Sequence, residues 1–325
     1  MPDPLDVPTI DIDRDPAVVG REFDEVLRTV GFFQVVNHGV PDESADRTWQ
    51  LTKAFFDLPL EDKLPIERPA DGQFGYFPML AESLANSLDA MDKGDLKESI
   101  NVSGGLAPGH TPVDPLEASL FAVPRWPEAL PGLRPAYENY MGEMRGLADR
   151  LLGMFALGLG LPADYFADKV DTAPLSQRAI NYPEQDTAPD EGVLRAGAHT
   201  DYGTLTILRQ ELGRGGLQVH DPKTDAWIDI PSTPGAFVIN IGDLLARWTN
   251  DRWTSTLHRV INPDVGSQKS NRRQSMPFFH NANYSQLIEC LPGCEGPNGE
   301  RHYEPVLAGQ HLAAKAAKAV APTAP

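Results

Sequence analysis

The chain has 325 residues, enough for one large domain or two small ones, and 41% apolar with 23% charged residues is an ordinary globular composition. Its 46 acidic and 28 basic side chains leave a net charge of −18, a field that repels phosphate backbones and anionic lipid, so neither nucleic acid nor membrane is expected as a partner. Cys290 and Cys294 are too few for a zinc ribbon or disulfide framework and read as reduced thiols. No apolar run approaches the roughly 18 residues of a membrane span. The acidic, proline-rich start "MPDPLDVPTI" is unlike a signal peptide, which leaves the cytoplasm as the default expectation.

In chain order, "DPAVVGREFDEVLRTVG" predicts a helix with Asp15 as cap, Pro16 in the first turn and Gly31 as its stop. Val19, Phe23, Val26, Leu27 and Val30 supply its apolar stripe. "FFQVV" predicts a buried strand leading into the turn "NHGVPD", and "ESADRTWQLTKAFFDL" a second helix that breaks before Pro59. Residues 60–130 are rich in Pro, Gly and Asp without a clear period. Such a stretch wraps a binding site or is simply a loop, and 70–115, with Tyr76 and Phe77 in "GYFP", is the candidate lid. A long amphipathic helix follows within "RPAYENYMGEMRGLADRLLGMFALGLG".

From Arg178 the texture changes to short β-type runs: "RAINY", "GTLTIL", "GLQVH", "AWIDI", "GAFVINIG", "STLHRVIN" and "RRQSMPFFH". That spacing predicts a jelly roll. The tail "LAAKAAKAVAPTAP" reads as a terminal helix. The expected architecture is mixed α and β. A helical and irregular N-terminal portion (1–175) packs on a jelly-roll core (176–290), and a C-terminal extension (291–325) carries the last helix.

The chemistry begins at "AHTDYGTLTIL". In an extended backbone His199 and Asp201 project to one face, an imidazole beside a carboxylate. His258, in the strand-like "STLHRVIN", is the candidate third partner. Two imidazoles and a carboxylate are the facial triad of non-haem Fe(II) oxygenases, which leaves three coordination positions open. His38, His110, His220, His302 and His311 read as structural or surface residues. In "NRRQSMPFFHN" a strand places Arg273, Ser275, Pro277, Phe279 and Asn281 on one side, and Arg272 on the other as a surface partner. A guanidinium with a hydroxyl two residues on can hold one carboxylate. Behind a metal triad, Arg273 and Ser275 suggest an anchor for a dicarboxylate that also chelates iron.

With "GFFQVVNHGV", "FFDLPLEDK", "DLKESI" and "LLARWTND" beside "HTD", "STLHRV" and "RQS", most of the chain resembles the isopenicillin N synthase-like branch of the 2-oxoglutarate/Fe(II)-dependent dioxygenases. The resemblance implies a distorted double-stranded β-helix core, with His199, Asp201 and His258 as iron ligands. It implies that Arg273 and Ser275 grip the distal carboxylate of 2-oxoglutarate and that Tyr182, in "INYP", hydrogen-bonds the co-substrate. Some relatives carry asparagine two places before that tyrosine, where this chain has Ile180. The implied reaction uses O2, releases succinate and CO2, and hydroxylates, desaturates or cyclises a small molecule. The carboxylate ligand fits hydroxylation rather than halogenation, which needs that position for halide. Two other readings stay open: an iron oxidase of the same fold that does not use 2-oxoglutarate (penicillin-ring-forming or ethylene-forming type), and a non-catalytic ligand-binding barrel. For the substrate, strand parity nominates Phe279, Asn281 and Arg178, and the lid region nominates Tyr76.

Overall fold

The computed structural model describes residues 7–70, 72–82, 95–187, 189, 193–263 and 270–320, with 316–320 by backbone alone. After β1 (Thr9–Asp11), helix α1 (Pro16–Leu27) starts as expected, the Asp15 carboxylate accepting the Ala17 N–H at 2.8 Å. Val19, Phe23 and Leu27 are fully buried on its inner face. The helix stops at Leu27, before Gly31, because the Gly31 N–H bends back to the Val26 carbonyl. Gly31 does so at φ +69, where a Cβ would lie 2.4 Å from the Thr254 carbonyl oxygen, so glycine is required there.

Strand β2 (Phe32–Val36) and helix α2 (Asp42–Phe56) form as predicted. Residues 60–130 are less irregular than expected: they hold α3 (Leu60–Lys63), β3 (Gly75–Phe77), β4 (Glu98–Ser103) and α4 (Pro115–Leu120). Strand β4 hides from pattern reading because its polar positions are buried too. Glu98 accepts from Lys63 Nζ at 2.9 Å, Tyr76 Oη at 2.5 Å and Asn181 Nδ2 at 2.8 Å, so its charge is satisfied inside the protein. The 26-residue α5 (Leu133–Gly158) buries Tyr137, Met144, Ala148, Leu151 and Phe155, and α1 and α2 pack along it.

After α6 (Ala167–Val170) come β5 (Ser176–Tyr182), β6 (Ala196–His199), β7 (Leu205–Gln210), β8 (Leu217–Asp221), β9 (Ala226–Asp229) and β10 (Phe237–Ile241). Then follow α7 (Asp243–Trp248), β11 (His258–Val260), β12 (Arg273–His280), the short pair β13 (Leu287–Ile288) and β14 (Val306–Leu307), and α8 (Ala308–Val320). An eight-stranded sheet runs β1-β2-β10-β7-β12-β5-β4-β3, and a four-stranded sheet runs β6-β11-β8-β9. Together they make the jelly roll, with a cavity lined from both sheets.

The boundary at 175/176 does not divide this fold. Strands β1 to β4 all precede it, yet all four belong to the larger sheet. They cover what would otherwise be the open edges of β10 and β5, so the N-terminal portion completes the sheet rather than merely packing on it. Cys290 and Cys294 are free thiols. Among the described residues, no helix is long and apolar enough to cross a membrane.

Candidate metal and co-substrate centre

Strands β6 and β11 are antiparallel neighbours, and His258 lies directly opposite His199. Directly opposed side chains share a face, and the two rings sit with centroids 4.3 Å apart. Each Nδ1–H donates to a carbonyl two residues upstream, His199 to Gly197 at 2.8 Å and His258 to Thr256 at 3.1 Å. Those bonds fix the tautomer that leaves both Nε2 lone pairs available to a metal.

Asp201 arrives differently from expectation. Strand β6 ends at His199, so Asp201 hangs from the following turn and is not an in-strand neighbour. That turn is tight: a Cβ on Gly203 would lie 2.5 Å from the His280 carbonyl oxygen. The Asp201 Oδ2 accepts from Thr206 Oγ1 at 2.6 Å and Asn240 Nδ2 at 2.7 Å. Oδ1 faces the histidines, 3.8 Å from His258 Nε2. One ligand atom from each of the three residues lies within 4.8 Å of the others, the one such group found among the described residues.

Burial, together with the neighbouring His258, pushes His199 down to about 3. Burial alone would raise Asp201, but His258, His199 and the donors Asn240 and Thr206 outweigh it and hold the carboxyl below its usual range. At neutral pH the site therefore offers an imidazole and a carboxylate in the protonation states a divalent metal requires.

His280, on β12 behind the turn, shares a 2.9 Å hydrogen bond with Thr204 Oγ1, and burial pushes it down to about 3 from an ordinary 6.5. As pH falls below about 6.5 the unfolded chain takes up this proton while the folded chain does not until near 3. The stability contributed by neutral His280 is thus lost across that window, by up to about 1.4 kcal/mol per pH unit. Denaturant unfolding of the metal-free protein should show it. His280→Asn should have a shallower decline between about pH 6.5 and 4 than the parent, and parallel declines would refute the assignment.

At the far end of the cavity, β12 delivers Arg273 and Ser275 opposite Tyr182 and Ile180 of β5. Arg273 is 1% exposed, and its Nε and Nη1 have no hydrogen-bond partner among the described residues. Its Nη2 donates to Gln210 Oε1 at 3.4 Å, and its guanidinium stands 5.1 Å from the centre of the Tyr182 ring. A buried cation with two idle donors is costly unless an anion completes it. The distal carboxylate of 2-oxoglutarate fits this fork.

Of the residues nominated for substrate, Phe279, Asn281 and Arg178 line the same cavity of about 230 Å³. Asn281 is anchored by donating to the Pro174 carbonyl at 2.7 Å. Arg178 is already engaged: it pairs with Glu82, donates to Ser99 Oγ at 2.7 Å and lies 4.9 Å from the Phe77 ring centre. Tyr76 does not belong to the site. Its hydroxyl turns to Glu98 and its ring to Phe55, because β3 pairs with β4 and draws the side chain into the core. Its neighbours Gln73 and Phe74 reach the cavity instead. Part of the proposed lid is this antiparallel β3–β4 pair, and residues 71 and 83–94 lie outside the described residues.

Several contributors escaped the sequence. Thr206 and Asn240 support Asp201. Lys97 lines the cavity, its Nζ 2.8 Å from Asp95 Oδ2. Arg195 stands 5.8 Å from the centre of the Tyr182 ring, and burial beside Arg273 pushes it down to about 10. His110, His220 and His302 pair with Glu117, Asp225 and Asp251, in keeping with structural or surface roles.

Residues 7–129 match the N-terminal family model of non-haem dioxygenases in morphine synthesis, and residues 174–282 match the 2OG-Fe(II) oxygenase superfamily. The chain is 33% identical over 321 residues to a homoarginine-6-hydroxylase of Oryza sativa subsp. japonica, covering 96% of this chain and 92% of that protein. It is 33% identical over 278 residues to validamycin A dioxygenase of Streptomyces hygroscopicus subsp. limoneus, covering 84% of this chain and 74% of that protein. Among solved structures it is similar to a full-length Neurospora crassa protein in complex with alpha-KG and thymine, with a TM-score of 0.82, 29% identity and 98% of each chain covered.

Proposed function

The chain belongs to the 2OG-Fe(II) oxygenase superfamily, and from that premise we propose how its own residues serve the reaction. It is a 2-oxoglutarate- and Fe(II)-dependent oxygenase. Bound iron, 2-oxoglutarate and O2 supply the oxidising chemistry, which converts the co-substrate to succinate and CO2. In our reading His199, Asp201 and His258 hold the iron on one face, Arg273 and Ser275 hold the distal carboxylate of 2-oxoglutarate, and Tyr182 hydrogen-bonds the co-substrate. The observation that carries this reading is the pairing of a three-residue metal group with a buried, half-satisfied arginine in one cavity. Ile180, Leu208 and Leu217 line the same space with apolar surface, which keeps water from the reacting groups.

The primary substrate is a small molecule held against Phe279 and Asn281. An acidic group on it would exchange with Glu82 for Arg178. The net charge of −18 favours a free metabolite over a nucleic acid. Anaerobic reconstitution with Fe(II) and 2-oxoglutarate, then a succinate-release screen of small metabolites with O2 uptake recorded, tests the reading. Succinate formed in step with oxygen consumption is expected. Oxygen uptake without succinate would overturn it in favour of an oxidase. For the compound found, Arg178→Ala should raise KM, and an unchanged KM removes that arginine from the substrate wall.

A further inference from the structure

Asp243, the first residue of α7, is absent from the main cavity, yet both segments that carry the candidate iron ligands rest on it. Its backbone N–H donates to the Asp201 carbonyl at 2.8 Å. Its Oδ2 accepts from Thr200 Oγ1 at 3.1 Å, the residue between His199 and Asp201. Its Oδ1 accepts from Ser255 Oγ at 2.7 Å, one residue before the carbonyl that fixes the His258 ring. An aspartate in a first helical turn is ordinarily explained by the helix dipole. Here the side-chain partners come from outside the helix, which that explanation does not require.

The third side-chain partner is Lys315 of α8, whose Nζ lies 2.6 Å from Asp243 Oδ2. The same helix sends Leu312 into the cavity. We propose that Asp243 is a positioning residue for the metal centre, joining the His199–Asp201 turn to the segment before His258, and that Lys315 holds it in place. Iron affinity then depends on the docking of the C-terminal helix. The inference rests on reading His199, Asp201 and His258 as the iron ligands.

Loss of an outer partner of a metal site typically lowers metal affinity about 10- to 100-fold. Asp243→Asn keeps the size but removes the charge that faces Lys315 and replaces one acceptor oxygen with a donor, so Thr200 or Ser255 keeps its partner only by reversing its own hydroxyl. Lys315→Met, on a half-buried helix face, is the milder variant. The measurement is anaerobic Fe(II) titration of the metal-free protein against a competing chelator, with the rise in Tm on adding Fe(II) as a second readout. Asp243→Asn is expected to weaken Fe(II) binding about 10-fold or more, and Lys315→Met about 3- to 10-fold. Lys315→Arg should restore it, and the double variant Asp243→Asn/Lys315→Met should be no weaker than Asp243→Asn alone. Parent-like affinity in folded Lys315→Met and Asp243→Asn would overturn the proposal. If Asp243→Asn does not fold, Lys315→Met and its arginine rescue decide. Parent-like binding by His258→Ala would instead show that the assignment of the ligands had failed.

Discussion

Asp201→Asn is expected to weaken Fe(II) binding by more than about 100-fold and to abolish succinate release, more than the loss of a supporting partner causes. The carboxylate has two different faces. Oδ2 is occupied by two donors, Thr206 and Asn240, and Oδ1 turns to the histidines. An amide cannot serve both. If its oxygen faces the metal, its NH2 meets the two donors; if its NH2 faces the metal, no lone pair is offered there. The negative charge that offsets a divalent cation is lost in either orientation. Fe(II) titration with and without 2-oxoglutarate measures the effect, and a variant that binds iron like the parent would remove Asp201 from the ligand set.

Arg273→Met is expected to raise the KM for 2-oxoglutarate about 10- to 100-fold, since a hydrogen bond to a charged group contributes about 1.5–3 kcal/mol. Its effect on the ligand-free protein should have the opposite sign. Arg273 is buried with two idle donors, so replacing it with an apolar side chain of similar length relieves a desolvated cation. Thermal unfolding should therefore show an unchanged or higher Tm without 2-oxoglutarate and the loss of the rise that 2-oxoglutarate induces. Lysine is not an adequate substitute, because it cannot present the planar fork. An unchanged KM in Arg273→Met would place the co-substrate elsewhere.

What the sequence made legible follows from the period of a strand. On β12 the alternation of two placed Arg273, Ser275 and Phe279 on one side, and all three line the cavity. The histidines were legible from their chemistry in strand-like runs, and the pairing of β6 with β11 brings them face to face. Contacts made by side chains far apart in the chain were not. Asn240 reaches Asp201 across 39 residues, and no local pattern marks an asparagine in the buried run "FVINI" as a metal-site support. Tyr76 failed for want of length: a three-residue strand does not declare which face is inward. Arg178 reached the cavity wall as parity predicted, but its pairing with Glu82 is a tertiary fact.

The interleaving of the larger sheet also makes it rich in contacts between distant parts of the chain. Strand β2 ends at Val36 and pairs with β10, which begins at Phe237, so the earliest strands are synthesised some two hundred residues before their partners. Until then β1 and β2 have only each other and α1 to pack against. Contacts of such separation slow folding, because a long loop must close before any pairing rewards it. The strands that carry the candidate metal ligands lie within the later part of the chain, yet the other sheet of the jelly roll takes its outer strands from the beginning. The cavity wall contributed by Phe32 and Asn101 therefore depends on strands whose β10 and β5 partners are made much later in the chain.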